Sequence, residues 1–339
     1  MTDLFAVVAR LDARGVIAAI PPSVCHDLEP TPSPRREGGD VVLEMGTWMP
    51  RTPARHLLPS LALVTGQRYS VRFELSARRS DGWSPWVGTV TLGDEVFAPI
   101  PASADGLEAD IDEIVATPAV DAVRMRVRVG GAGREAMYEA PWLATLSACD
   151  GEVEPTATST AVRRLPVPAR TQMAEPEAIR LRICSPTSVG MALEYLGRPV
   201  PTAVLADEVF HAPTDRYGVW SAAVRSASAH GVAGYLLRFP SWDAAAWCLG
   251  RGLPIVASIR FGPGELTNAP LSDTTGHLVV ITGLEGDDVL VNDPAAPTVE
   301  HVARRYRRAE FTRAWLARSG VGYVFLPPSR YNCTQCDST

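Results

Sequence analysis

The apolar residues of this chain recur with a period of two in its first half and with a helical period in its second. The change falls at residues 151–171, a stretch rich in Pro, Thr and charge that has no apolar periodicity. Such a composition is typical of a linker. Strands and helices need different apolar periods, so we expect two domains. The 339 residues are enough for both, and we predict domains at 1–150 and 172–329 and a flexible tail at 330–339.

The N-terminal half has the pattern of antiparallel strands. In YSVRFELSAR, residues 69–78, and in AVRMRVRV, residues 122–129, apolar and polar residues alternate. One face of each strand is then expected in a core and the other in water. Turn signals such as Ser-Asp-Gly at 80–82 separate the runs. The sequence therefore predicts an all-β sandwich or jelly roll for this half.

Two surface features of the predicted sandwich have alternative interpretations. Arg124, Arg126 and Arg128 form a row that we interpret as a solvated sheet face, although such a row can also bind an anion. Trp83 and Trp86 flank a turn and could stack on a sugar or a peptide aromatic ring; closure of the sandwich edge is the simpler interpretation. Binding of substrate, or contact with an envelope or glycan partner, is an expectation from architecture alone.

The C-terminal half alternates between helix and strand patterns. Helical periods occur first, at 187–197, 202–210, 219–231 and 241–252, and strand runs follow at 254–261, 277–285, 288–293 and 322–327, with a helix pattern at 308–320. Helices that precede a sheet of adjacent strands are typical of an α+β domain.

Composition excludes several kinds of chemistry and partner. The chain has no lysine, so all 32 basic residues are arginine, which excludes Schiff-base chemistry and a phosphate-loop lysine. A net charge of −6 argues against a nucleic-acid partner. No run reaches the roughly 18 apolar residues of a membrane helix. Charged Asp3 and Arg10 interrupt the N-terminal apolar run, so we expect no signal peptide, no membrane span and a cytoplasmic location.

Cys184 is the candidate nucleophile. It stands directly before Ser185 and Pro186, where a helix pattern opens. A thiol at the start of a helix lies near the positive end of the helix dipole, which favours the thiolate. The backbone N–H of Cys184 could stabilise an oxyanion formed there. Taken alone, such a cysteine is more often a small buried apolar residue.

A general base and its orienting group are predicted from the topology of two later strands. His277 begins one apolar strand pattern, and Asp293 ends the next, after a short turn at 285–288. Antiparallel neighbours joined by such a turn bring these two ends together, so Asp293 is expected to orient the His277 imidazole. Asn292 is the competing candidate, but alternation directs it to the opposite face of the strand.

These motifs together resemble the bacteriocin-processing peptidase-like family of papain-like cysteine peptidases, related to the domains that cleave double-glycine leader peptides. The resemblance covers about residues 165–327 and implies a papain-like fold. It implies Cys184 as nucleophile, His277 as general base and acid, Asp293 as third member of the triad, and Gln172 as the residue whose side-chain amide contributes to the oxyanion hole. Ser185 stands where the leader peptidases usually have glycine, so their leaders are not the expected substrates.

The sequence thus predicts a hydrolase that cleaves a peptide or amide bond through a thioester on Cys184, in a peptide or protein substrate and without a cofactor or metal. Two alternatives remain: an acyltransferase that uses the same three residues, and a binding protein that keeps the fold without turnover. Cys333 and Cys336 form a lone C-x-x-C in the tail. A zinc site or a redox pair would need further ligands or a different setting, so we interpret them as two spare thiols.

Overall fold

The structure, a computed structural model, describes residues 1–151 and 160–330. Cys333 and Cys336, with almost all of the predicted tail, lie outside the described residues, as do residues 152–159 of the predicted linker. The predicted mixture of helices and antiparallel sheets is confirmed. In the described part of the chain, no helix is both long and apolar enough to cross a membrane.

The described chain divides into two compact units. The first holds residues 1–151, 228–236 and 328–330, and the second holds residues 160–227 and 237–327. Within the first unit, the segment 228–236 is hydrogen-bonded to residues of the N-terminal half. The Tyr235 hydroxyl donates to the Ala19 carbonyl at 2.7 Å, and the Leu236 N–H donates to Ser60 Oγ at 3.3 Å. The predicted domain boundaries at 150 and 172 stay a prediction.

The N-terminal half forms two six-stranded antiparallel sheets. Its strands are β1 (Thr2–Ala9), β2 (Arg35–Glu37), β3 (Asp40–Trp48), β4 (Ala54–Leu63), β5 (Ser70–Arg79), β6 (Gly82–Trp83), β7 (Val87–Gly88), β8 (Ser103–Ala104), β9 (Leu107–Ala109), β10 (Ile114–Val120), β11 (Val123–Gly130) and β12 (Trp142–Cys149), with short helices α1 (Ala13–Ile17) and α2 (Ala136–Glu139). One sheet has the order β1-β12-β4-β10-β9-β8, and the other β2-β3-β11-β5-β6, with β7 on β5. Their arrangement as a sandwich stays a prediction.

The polar face of β5 is covered, and the prediction that it faces water is wrong. Arg72 and Glu74 are both buried. The Arg72 guanidinium donates to the Ala98 carbonyl at 2.7 Å, which holds a later loop over this face. Glu74 accepts hydrogen bonds from Arg72 at 2.7 Å and from Arg128 at 2.8 Å. Burial of these charges is tolerated because each has a partner of opposite charge.

The C-terminal half contains helices α3 (Cys184–Tyr195), α4 (Thr202–Val209), α5 (Trp220–Ala229), α6 (Trp242–Gly250) and α7 (Arg308–Ala314). Its strands are β13 (Gly234–Arg238), β14 (Ile255–Phe261), β15 (Thr274–Glu285), β16 (Asp288–Asn292), β17 (Ala303–Arg307) and β18 (Val321–Phe325), in the sheet order β13-β18-β14-β15-β16-β17. The sequence patterns do not predict β13 or β17. Helix α3 packs against β15, where the Ser188 hydroxyl donates to the Leu278 carbonyl at 3.0 Å.

A glycine in β15 lets a preceding segment lie directly on the sheet. Val162 and Leu284 exchange two backbone hydrogen bonds of 2.8 and 2.9 Å, and the Leu165 N–H donates to the Thr282 carbonyl at 2.8 Å. A Cβ at Gly283 would lie 2.8 Å from the Val162 carbonyl oxygen. The missing side chain therefore makes room for the segment that leads towards Gln172.

Gly283→Ala is expected to displace this segment and to lower the free energy of unfolding by ~1–3 kcal/mol, the usual cost of overpacking a tight site. Urea titration followed by tryptophan fluorescence measures the change. Gly250→Ala is the matched control, because a Cβ there meets no atom within 4 Å and the backbone needs no change. Equal stability of the Gly283→Ala variant and the control would contradict this account.

Candidate active site

Cys184 is the first residue of α3, and its position brings the helix dipole to the thiol. It is partly exposed, whereas Cys248 is buried in α6. The N–H groups of Cys184 and Ser185, in the first turn of α3, have no acceptor within the helix. This end of α3 can therefore stabilise negative charge on sulfur or on an adjacent oxygen.

His277 and Asp293 form a buried pair on the neighbouring strands. His277 Nε2 lies 2.8 Å from Asp293 Oδ1, and the two residues are 2% and 1% exposed. His277 lies near the start of β15 and Asp293 directly after the end of β16, which pairs antiparallel with β15. Because Nε2 binds Asp293, the remaining ring nitrogen, Nδ1, is the one that can serve the hydrogen bond between His277 and Cys184.

The protonation states of the three residues are coupled. Burial alone would raise the pKa of the Cys184 thiol, but the hydrogen bond and the charge of His277 outweigh it and lower that pKa. Burial opposes the charge on His277 too, yet the charge of Asp293 and its hydrogen bond raise the pKa of His277 to about 10. The pKa of Asp293 is lowered: burial would raise it, but the charge and hydrogen bond of His277 prevail. A thiolate–imidazolium pair is the state that these shifts favour.

Asp293 accepts hydrogen bonds from two further donors besides His277. Its Oδ1 also accepts the Ala295 N–H at 2.9 Å, and its Oδ2 accepts the Tyr306 hydroxyl at 2.7 Å. Tyr306 is the only buried residue of β17. The signal in the sequence is slight: one aromatic residue stands among arginines in ARRYR, a pattern more typical of a solvated segment.

Asn292, the competing candidate for orienting the imidazole, contacts a different part of the chain. Its Nδ2 donates to the Val167 carbonyl at 3.0 Å, and its Oδ1 accepts from Arg164 at 3.3 Å. Successive residues of a strand point to opposite faces, so Asn292 anchors the segment 164–168 and Asp293 is left to His277.

Gln172 lies beside the turn that carries Asp293. Its backbone N–H donates to the Pro294 carbonyl at 2.9 Å, and its side-chain Nε2 donates to the Arg180 carbonyl at 2.7 Å. The side chain is buried, and its Oε1 has no hydrogen-bond partner. The amide carries two N–H groups, so one remains for another acceptor. Gln172 is thus fixed between the Asp293 turn and the segment that leads to Cys184.

The described residues hold no group of three or more His, Cys, Asp and Glu side chains arranged to bind a metal ion. Cys184 is hydrogen-bonded to His277 and to the backbone of Leu278, and His277 is hydrogen-bonded to Cys184 and Asp293. A thiol, an imidazole and a carboxylate linked in this way are the groups that nucleophilic catalysis by cysteine requires.

The lowered pKa of Cys184 leads to a prediction about its reactivity. With limiting iodoacetamide, Cys184 is expected to react well below the pH at which an ordinary thiol ionises, because His277 stabilises the thiolate. Cys25 serves as an internal reference because it is partly exposed, like Cys184. Burial and Asp27 raise the pKa of the Cys25 thiol, so it is expected to react only at alkaline pH. Peptide mass spectrometry across a pH series measures both rates.

In the His277→Ala variant, the reactivity of Cys184 is expected to move to alkaline pH while that of Cys25 stays unchanged. If Cys184 in the unmodified protein had the alkaline profile of Cys25, the thiolate–imidazolium pair would be refuted.

Comparisons with known proteins concern the C-terminal half. Residues 164–323 match the model of the Peptidase_C39 like family. A crystal structure of a protein assigned as a C39-like peptidase from Bacillus anthracis aligns with 20% identity and a TM-score of 0.39, over 49% of this chain and 98% of its own. The peptidase domain of Streptococcus ComA, a bifunctional ABC transporter of a quorum-sensing pathway, aligns with 16% identity and a TM-score of 0.31, over 43% and 93%.

No curated protein matches the chain. The matched range contains Gln172, Cys184, His277 and Asp293. It confirms the resemblance predicted from the sequence: the C-terminal half of this chain is similar to the Peptidase_C39 like family.

Proposed function

We propose that the C-terminal half is a cysteine peptidase that hydrolyses a peptide or amide bond through a thioester on Cys184, with His277 and Asp293 completing a catalytic triad. The observation that carries the proposal is the buried His277–Asp293 pair, with 2.8 Å between Nε2 and Oδ1, next to a thiol of lowered pKa. A binding protein has no need for a thiolate, a proton carrier and an orienting carboxylate in one hydrogen-bonded chain.

In the first half of the reaction, the Cys184 thiolate attacks the carbonyl carbon of the scissile bond, and the carbonyl oxygen becomes an oxyanion. When the tetrahedral intermediate collapses, the C–N bond breaks and His277 donates its proton to the leaving amine. The products of this step are the free amine and an acyl thioester on Cys184, with a neutral His277.

In the second half, water attacks the thioester carbon while His277 accepts its proton. Collapse of the second intermediate breaks the C–S bond and releases the carboxylic acid, which restores the thiolate on Cys184 and the imidazolium on His277. Asp293 stays ionised throughout and holds the imidazole in one orientation. Every proton removed is returned, so the cycle needs no cofactor.

The oxyanion in both halves is stabilised by two donors. The backbone N–H of Cys184 is one, because it lies in the first turn of α3 and has no partner within the helix. The side-chain amide of Gln172 is the other. It has a second N–H besides the one that donates to the Arg180 carbonyl, and the fixed position of Gln172 supports this role.

The N-terminal half is proposed to be a sandwich that serves as an accessory domain for binding substrate or an envelope partner. Its two antiparallel sheets and the apolar residues of β4, β5, β11 and β12 support a common core. Stacking of a sugar on Trp86 is not supported, because the guanidinium groups of Arg126 and Arg124 lie 4.0 and 5.2 Å from the centre of its ring.

The proposed mechanism predicts that Cys184→Ala abolishes cleavage of a proteome-derived peptide mixture, measured by mass spectrometry of the new termini. Cys25→Ala is the matched control and is expected to cleave like the unmodified protein, because Cys25 lies outside the site. Both variants are checked for folding by circular dichroism. Cleavage that persists in a folded Cys184→Ala variant would overturn the assignment, and new amide products formed with added amine would instead indicate acyl transfer.

The pH dependence of cleavage follows from the same pair. As the pH falls, activity is expected to be lost where the Cys184 thiolate takes up a proton, which is below the ordinary range of a thiol because its pKa is lowered. As the pH rises, activity is expected to be lost near pH 10, where His277 gives up the proton that the leaving amine needs. A profile of kcat/KM against pH measures both limits, and an activity that only increases towards alkaline pH would contradict the ion pair.

A further inference from the structure

Tyr306 is a buried tyrosine on an otherwise polar edge strand. It belongs to β17, which pairs only with β16 in the sheet order, and its side chain is 0% exposed while Arg305 and Arg307 on either side face solvent. Its ring stacks on Phe311 of α7, with 5.9 Å between ring centroids. The ring therefore contributes to the core, and a phenylalanine would satisfy that packing equally well.

The hydroxyl of Tyr306 makes a contact that the packing of the ring does not require. It donates to Asp293 Oδ2 at 2.7 Å, and Asp293 is 1% exposed. The other oxygen, Oδ1, accepts from His277 and from the Ala295 N–H. The carboxylate thus has a donor on each oxygen, and its plane is fixed by groups at both ends. Rotation of the carboxylate away from His277 would break the bond to Tyr306.

We propose that Tyr306 is a positioning residue for the reaction, acting through Asp293 to fix the His277 imidazole. The inference rests on the proposed function, because it assigns to the hydroxyl a role in the same site. Tyr306 is fully buried and reaches Asp293 rather than a substrate, so its removal is expected to change the chemical step and to leave substrate binding intact.

The charges around the hydroxyl set the direction of the expected pH effect. Burial, and after it the charge and hydrogen bond of Asp293, raise the pKa of Tyr306, so the phenol stays protonated and remains a donor, although the nearby charge of Arg304 opposes the shift. The hydrogen bond from Tyr306 is one of the contributions that lower the pKa of Asp293, after the charge and hydrogen bond of His277. Without the hydroxyl, Asp293 is expected to protonate at a higher pH.

Protonation of Asp293 removes the negative charge that keeps His277 protonated. The thiolate on Cys184 then loses its counterion. As the pH falls, the loss of activity in a chain without the hydroxyl is therefore expected to begin at a higher pH than in the unmodified protein.

The test is Tyr306→Phe, which removes the hydroxyl and keeps the ring. We expect kcat to fall by about tenfold or more, in keeping with the loss of a hydrogen bond to a charged group, while KM stays within about twofold. The acid limit of the kcat/KM profile is expected to move to higher pH, and the acid reactivity of Cys184 towards iodoacetamide to fall in parallel.

Tyr323→Phe is the matched control. Tyr323 is a buried tyrosine of β18 in the same sheet, two strands away from β15, so the same atom is removed at a distance from Asp293. We expect the control to keep the kcat, the pH limits and the Cys184 reactivity of the unmodified protein. Unfolding in urea, measured for both variants, shows whether the Tyr306 variant is folded at the assay temperature.

The outcomes separate this inference from the proposed function. If the unmodified protein cleaves peptides and Tyr306→Phe has the same kcat and pH limits, the positioning role is overturned while the function stands. If the unmodified protein cleaves nothing, the function is overturned, and the alkylation profile of Cys184 still decides whether Tyr306 acts on the ion pair. A fall in kcat without any change in pH limit or alkylation profile would assign Tyr306 a structural role only.

Discussion

The C-terminal half is organised around one buried negative charge, that of Asp293. A carboxylate removed from water is costly unless its oxygens find donors, and the cost of losing one partner exceeds the net value of the pair. The donors come from separate parts of the chain: His277 from β15, the Ala295 N–H from the following turn, and Tyr306 from β17. The correct pairing of β15, β16 and β17 is therefore needed to supply the Asp293 carboxylate with its donors. A shift in the pairing of β16 with β15 or β17 would remove one of these donors from the buried carboxylate.

The packing of α3 on β15 places Cys184 beside His277. The side chain of Ser188 binds the carbonyl of Leu278, one residue after His277, and Ser188 is one helical turn after Cys184. A shift of the helix along the strand would break this bond and separate the thiol from the imidazole. The same packing buries His277 and so strengthens its interaction with Asp293, because charges attract more strongly where water is excluded. The contact between α3 and β15 therefore affects both the position of the Cys184 thiol and the strength of the His277–Asp293 interaction.

The sequence predicts those elements correctly in which a clear apolar period lies next to a residue type with known chemistry. The helix pattern that opens directly after Cys184 and the neighbouring strands of His277 and Asp293 follow from apolar periods and turn signals, and the family match supports the peptidase-like fold predicted for the C-terminal half. Sequence reasoning fails where burial depends on charge pairing. Tyr306 is buried although its neighbours in the strand are arginines, because its hydroxyl has the Asp293 carboxylate as acceptor. Glu74 is buried because it is paired with arginines such as Arg128. Hydropathy alone would place both residues at the surface. Such residues are found through their partners, which a single sequence does not specify.

The division of the chain into units has a practical consequence for anyone who truncates it. Residues 228–236 group with the N-terminal strands, although the residues on either side of them belong to the second unit. A chain that starts after the linker would keep Tyr235 and Leu236 while losing the Ala19 carbonyl and the Ser60 hydroxyl that they bind. The buried phenol of Tyr235 and the apolar residues around it would then face water. A shortened protein that aggregates would therefore reflect the place of the cut, and the full chain is the better choice for crystallisation and for assays.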